Sequence, residues 1–195
     1  IEIALVALGR DVNKVLYDEK LPQAVVELNV DAALRHLDEL KGQIAWWKNG
    51  DQLQRGITSG EMVMCAAWSG RIWSAHKQIS PSDSFPSTKI RVNGETALIS
   101  TDWWVIPKGA KNPDAANRLL ERLYESEAAK ERIARFAQAQ GYLPPVDSLK
   151  VDDNVAKSYL QLGSSKNPRF LARINDAFWS RNFNWIADRW TSWRL

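Results

Sequence analysis

Between Gly60 and Gly70, Met62 to Ala67 form a nearly continuous apolar run, Met-Val-Met-Cys-Ala-Ala. A run of that length bounded by glycines suits a strand covered on both faces, as in a parallel or mixed sheet. A strand of that kind needs helices above and below it. The rest of the chain supplies helix patterns that alternate with strand patterns, so the expected class is α/β.

The helix patterns carry their own stops and starts. Residues 1–9 read as the end of an amphipathic helix of a chain continued upstream, with Gly9 as its stop. Asp31 is expected to cap a short helix with Ala33, Leu34, Leu37 and Leu40 on one face. Gln43 to Trp47 reads as a short strand, and Asp51 to Ser59 as a helical turn ended by Gly60. Ser80 to Ser87 is a loop. Lys89–Val92 and Ala97–Ile106 read as strands around an Asn93-Gly94 turn. Asn112-Pro113 starts a helix with Ala116, Leu119, Leu120 and Leu123 inward. Ser126 restarts a second, with Ile133 and Phe136, that Gly141 stops. Gly141 to Val146 is a rigid turn, and Ile174 to Leu195 is an aromatic helix.

The chain carries 10 Trp in 195 residues and a net charge of +3. Its bases are scattered among acids, without the dense basic run of a nucleic-acid or membrane-surface patch. No apolar stretch reaches the roughly 18 residues of a membrane span. A single cysteine, Cys65, excludes an internal disulfide, and its place in an apolar strand suggests an inert buried thiol. Enzyme signatures are missing: there is no G-x-S-x-G, no P-loop and no G-x-G-x-x-G. His36 and His76 stand too far apart for local metal-ligand spacing. Trp179, Trp185, Trp190 and Trp193 share one helix at packing distances.

Four landmarks occur in order: Gly60-Glu61-Met62-Val63-Met64-Cys65-Ala66-Ala67-Trp68-Ser69-Gly70, Asp102-Trp103-Trp104-Val105-Ile106-Pro107-Lys108-Gly109-Ala110-Lys111-Asn112, Gly141-Tyr142-Leu143-Pro144-Pro145-Val146, and the terminal Phe178-Trp179…Trp190…Trp193 helix. Together they resemble the second half of an extracellular solute-binding protein of an ABC importer, in the branch of spermidine/putrescine-binding proteins. The resemblance implies a bilobal fold of the type II periplasmic-binding-protein class, with the second lobe and part of the first represented here. Residues 1–101 would belong to the second lobe, 102–146 would return to the first, and 147–195 would go back to the second. It implies no cofactor, metal or catalysis. The partners would be a small-molecule solute and a membrane permease, with no nucleic acid. The complete protein would be a monomer in the periplasm or outside the cell.

The resemblance also assigns residues. Trp68 would stack on the ligand's aliphatic chain near its ammonium, where an indole face offers apolar area and a quadrupole. Asp102 would pair with a ligand amine. Ser100 stands where polyamine binders carry a Trp two residues before this acid, so the implied class is a small organic cation or amine. The second aromatic wall is then missing, or is supplied by Trp103 or Trp47. Asn49 aligns with a polar contact, and Tyr142 lies in the loop that faces the cleft in relatives. With part of the site upstream, the 102–146 segment should expose apolar surface among Leu119, Leu120, Leu123, Ile133 and Phe136. The rival readings are a carbohydrate binder of the same broad fold, where tryptophans stack on sugar rings, a single-strand nucleic-acid module, and an enzyme on a bilobal scaffold.

Overall fold

The computed structural model describes residues 1–80, 90, 92, 98–142, 163–164, 167–168 and 172–195. Gly94 and the turn beyond Tyr142 lie outside the described residues, as does most of the Ser80–Ser87 loop. The chain divides into two units. The first comprises Ile1–Trp46, Thr96–Ser100 and Leu171–Leu195, and the second Trp47–Glu95 and Thr101–Phe170.

The first unit begins with α1 (Glu2–Ala7) and α2 (Val12–Val15). Gly9 ends α1 at φ 71°, its N–H reaching the Val6 carbonyl at 2.7 Å while the Arg10 N–H reaches Leu5 at 3.0 Å. That is the paired hydrogen-bond pattern of a left-handed helix stop, which glycine enters without steric cost. Asp11 then caps α2 by accepting from the Asn13 N–H at 3.0 Å.

α3 runs Gln23–Leu37 behind Pro22. Asp31 therefore does not start this helix but lies within it, joining Glu27 in holding Arg189. The apolar stripe that sets α3 is Val26, Val30, Ala33 and Leu34, all buried, at the spacing of one helix face. A 3₁₀ segment (Asp38–Gln43) follows. Gln43–Trp47 forms no strand.

The last helix, α8 (Asp176–Arg194), is capped by Asn175, whose side chain accepts from the Phe178 N–H. It lays Phe178 and Ile186 into a core with Leu5, Leu16 and Val30, and packs Trp179, Trp185, Trp190 and Trp193 against it. The four tryptophans thus act as packing residues. Burying each large side chain contributes roughly 1.5–3 kcal/mol. A buried polar group is answered too: Glu2 Oε1 accepts from the Tyr17 hydroxyl at 2.7 Å and from Trp179 Nε1 at 2.8 Å. Burial first, and then the hydrogen bond to the Glu2 carboxylate and its charge, raise the Tyr17 phenol above its ordinary value. Among its described residues the unit's sheet is one parallel pair, β1 (Leu98–Ile99) with β4 (Ala172–Arg173), in the register Leu98↔Ala172.

The second unit holds α4 (Gly50–Ser59), α5 (Ser69–Ile79), α6 (Pro113–Tyr124) and α7 (Glu127–Ala139), with a short antiparallel pair, β2 (Gly163–Ser164) and β3 (Asn167–Pro168). Gly60 closes α4 at φ 76°. Pro113 opens α6 behind Asn112, although the Asn side chain makes no cap hydrogen bond. Ser126 accepts from the Ala129 N–H at 3.2 Å at the start of α7, whose buried face is Ala129, Ile133, Ala134 and Ala137.

Two expectations fail here. Met62–Ala67 is neither a strand nor buried: Val63 and Met64 are each 94% exposed, and Cys65 is exposed. A strand covered on both faces needs neighbours at both edges, and no strand pairs with this run among the described residues. Of the strand expected over Ala97–Ile106, Ala97 lies outside the described residues; among those described only Leu98–Ile99 is paired, and Trp103, Trp104 and Val105 are exposed. α6 buries none of its residues. Leu119 and Phe136 are exposed while Ile133 is buried, so the helical pair does leave apolar surface open, as expected.

Candidate functional site

Four of the seven residues singled out from the sequence converge in the second unit on the first turns of α4 and α5. Asn49 caps α4: its Oδ1 accepts from the Gln52 N–H at 2.9 Å, and Gln52 Oε1 accepts in return from the Lys48 N–H at 2.9 Å. The Asn49 amide nitrogen has no hydrogen-bond partner among the described residues. Trp68 stands at the start of α5 in extended conformation. Its ring meets that of Trp47 edge-on, centroids 5.1 Å apart at 72°, a favoured geometry for indole pairs. Trp68 remains 55% exposed, so the pair offers an aromatic surface.

Tyr142 reaches the same helix start through two glycines. A β-carbon on Gly70 would lie 2.8 Å from the Tyr142 hydroxyl, and one on Gly141 only 2.6 Å from the Trp73 side chain. Gly141 also takes φ 76°, which disfavours any other residue. Trp73 Nε1 and Lys77 Nζ both donate to the Ala139 carbonyl, at 3.1 and 3.3 Å. The end of α7 is thereby fixed to α5, and Tyr142 with it, against Gly70, two residues after Trp68.

Asp102 and Trp103 lie in an exposed segment of the second unit without helix or strand. Asp102 makes no hydrogen bond or ion pair among the described residues. Ser100 is exposed and closes the middle segment of the first unit.

One residue escaped the sequence reading. Arg71, in the first turn of α5, donates through Nη1 to Asp51 Oδ1 at 2.7 Å and to Gln54 Oε1 at 3.3 Å. Its guanidinium lies against Gly50, in space that a side chain there would fill. Glycine at position 50 is what admits a cation beside the start of α4. The only signal in the sequence was its place three residues after Trp68, which puts both on one side of the helix start.

The bacterial extracellular solute-binding protein family matches residues 1–160. The chain belongs to that family. Among its relatives, the chain is 30% identical over 123 residues to a gamma-aminobutyric acid-binding protein of Pseudomonas aeruginosa, an alignment that covers 62% of this chain and 30% of the relative. A solved GABA receptor superposes on the whole chain with a TM-score of 0.65 at 27% identity. The chain spans 53% of that receptor, about half its length. This solute-binding protein therefore has the α/β, periplasmic-binding-protein type of fold expected from its sequence, represented in part. Its helices dominate the described residues because the strands are confined to short pairs.

Proposed function

We propose that the protein captures a small amine-bearing solute, of the γ-amino acid class, outside the cytoplasm and delivers it to an ABC importer without chemical change. The observation that carries this reading is that Arg71 lies in the first turn of the helix that Trp68 opens, with its guanidinium against Gly50 at the start of α4, while Trp68 pairs with Trp47 just before α4. A short amino acid has three parts to be recognised. Its methylenes suit an exposed indole face. Its carboxylate suits a guanidinium fork, which Arg71 presents in an exposed pairing with Asp51 that is weak enough to exchange. Its ammonium suits a carboxylate beside aromatics, the role assigned to Asp102. Two relatives named for gamma-aminobutyric acid support the same class.

The polyamine reading shares the Trp68 and Asp102 roles but gives Arg71 nothing to do, since a diamine has no carboxylate. The sugar reading requires neither Asp102 nor Arg71. Capture would stabilise a closed state of the two lobes that a permease recognises. The lobe assignment proposed for residues 1–101, 102–146 and 147–195 belongs to this reading. Tyr142, Trp103, Asn49 and Ser100 are proposed as further contacts.

Titration calorimetry on the whole protein tests the reading. Trp68→Ala should cost about 2–4 kcal/mol of γ-aminobutyrate binding, as truncated aromatic anchors do, and Asp102→Asn roughly 2–5 kcal/mol. If Asp102→Asn binds within about twofold of wild type, Asp102 does not hold the ammonium.

A further inference from the structure

The first unit contains a second feature of ligand chemistry, unrelated to the amine site. A cavity of about 370 Å³ opens where α1 ends, with Arg10, Asp11 and Asn13 on its polar side and Val6, Val12 and Ala172 on its apolar side. That is within the range of small-molecule pockets, at its lower end.

The sequence places Arg10 there without freedom. Gly9 turns the chain out of α1, the Arg10 N–H is held by the Leu5 carbonyl, and Asp11 immediately starts α2. The guanidinium is then held from behind by Asn29 of α3, whose Oδ1 accepts from Arg10 Nη1. Asn29 is itself buried, and its amide nitrogen donates to both the Val15 and Val25 carbonyls at 2.9 Å. Those two bonds fix which way the amide faces and direct its oxygen at Arg10.

The partner of this half-buried guanidinium is therefore neutral. Among the described residues no carboxylate pairs with Arg10. The nearest acid along the chain, Asp11, is engaged elsewhere: Oδ1 accepts from the Asn13 N–H, and Oδ2 lies 3.6 Å from Lys14 Nζ. A guanidinium oriented by an amide keeps its full charge and most of its donors for a ligand, which a structural ion pair would not. The geometry points to a second small-molecule site in the first unit, for a carboxylate with a short apolar tail, in which Arg10 binds the carboxylate and Val6, Val12 and Ala172 cover the tail.

The test is amide-resolved NMR on the whole protein, titrated with sodium butyrate and, separately, with inorganic phosphate. Butyrate is expected to shift the Gly9, Arg10 and Asn13 amides saturably, and Arg10→Gln to weaken that binding by about tenfold or more, the worth of a charge-assisted hydrogen bond. Arg10→Lys, which keeps the charge but loses the fork, should fall between. Shifts confined to the Trp68 region would place butyrate at the amine site and overturn the proposal. So would the absence of saturation at Gly9, Arg10 and Asn13 in the wild type, or equal affinity in Arg10→Gln. Phosphate binding as tightly as butyrate would overturn the assignment of a tailed carboxylate. None of these outcomes depends on whether γ-aminobutyrate binds.

Discussion

The two units differ in how they treat their most apolar segments. In the first, the apolar stripe of α3 meets Leu5, Leu16, Phe178 and Ile186 and disappears from solvent. In the second, Val63, Met64, Trp103, Trp104 and Val105 stand open, and α6 buries nothing. The segments do not differ in hydrophobicity so much as in what they require. A helix satisfies its own backbone and needs a partner on one face. A strand of the Met62–Ala67 type needs partners at its edges and on both faces; among the described residues no strand pairs with it, and Met62 alone is held, by its N–H to the Gly56 carbonyl and its side chain against Gly56.

The comparison breaks first at the core. Leu5→Ala should destabilise the first unit by about 2–5 kcal/mol, the cost of a buried leucine cavity, as read by urea unfolding monitored through tryptophan fluorescence. An effect below about 1 kcal/mol would mean that the first unit is no better packed than the second.

A smaller effect is expected at Tyr17. Tyr17→Phe removes the hydrogen bond to Glu2 and should cost about 1 kcal/mol at neutral pH. The Tyr17 phenol is raised in the folded state, so above the unfolded value of about 10 the unfolded chain loses its proton first and stability falls as pH rises. Tyr17→Phe should flatten that alkaline decline. Parallel curves for the two proteins would remove Tyr17 from the account.

The smallest effect should be at the open run. Val63→Ala is expected to change stability by less than about 0.5 kcal/mol, and the Cys65 thiol should react with a maleimide in the folded chain without denaturant. A Cys65 protected until unfolding would restore the buried strand expected from the sequence.

What the sequence disclosed follows the same division. Gly9, Gly60 and Gly141 mark stops and Asn112-Pro113 and Ser126 mark starts, where local chemistry goes far to decide the backbone. The beginning of α3 was hidden because Asp31 resembles a cap, whereas the stripe from Val26 through Asn29 and Val30 includes a buried polar residue that interrupts the apolar period. Met62–Ala67 misled because its pattern specifies an environment and not a conformation. At the site, Trp68 was singled out as the end of a strand that does not form, and Trp47 as either a cleft or a packing residue; the structure sets their rings edge-on at the start of α5. Adjacent Trp46 packs instead on Trp190, with ring centroids 5.5 Å apart, so neighbouring indoles go to different units. Arg71 was not legible, because its position depends on Gly50 of another helix.

The central claim is that Arg71 reads a ligand carboxylate beside the Trp68 face, and one measurement separates it from the polyamine reading. Titration calorimetry would compare γ-aminobutyrate with putrescine on the whole protein and its Arg71→Gln variant. The account predicts that wild type prefers γ-aminobutyrate and that Arg71→Gln weakens it by about tenfold or more, while putrescine changes by less than about twofold. Equal losses for both ligands, or a γ-aminobutyrate affinity untouched by Arg71→Gln, would contradict it.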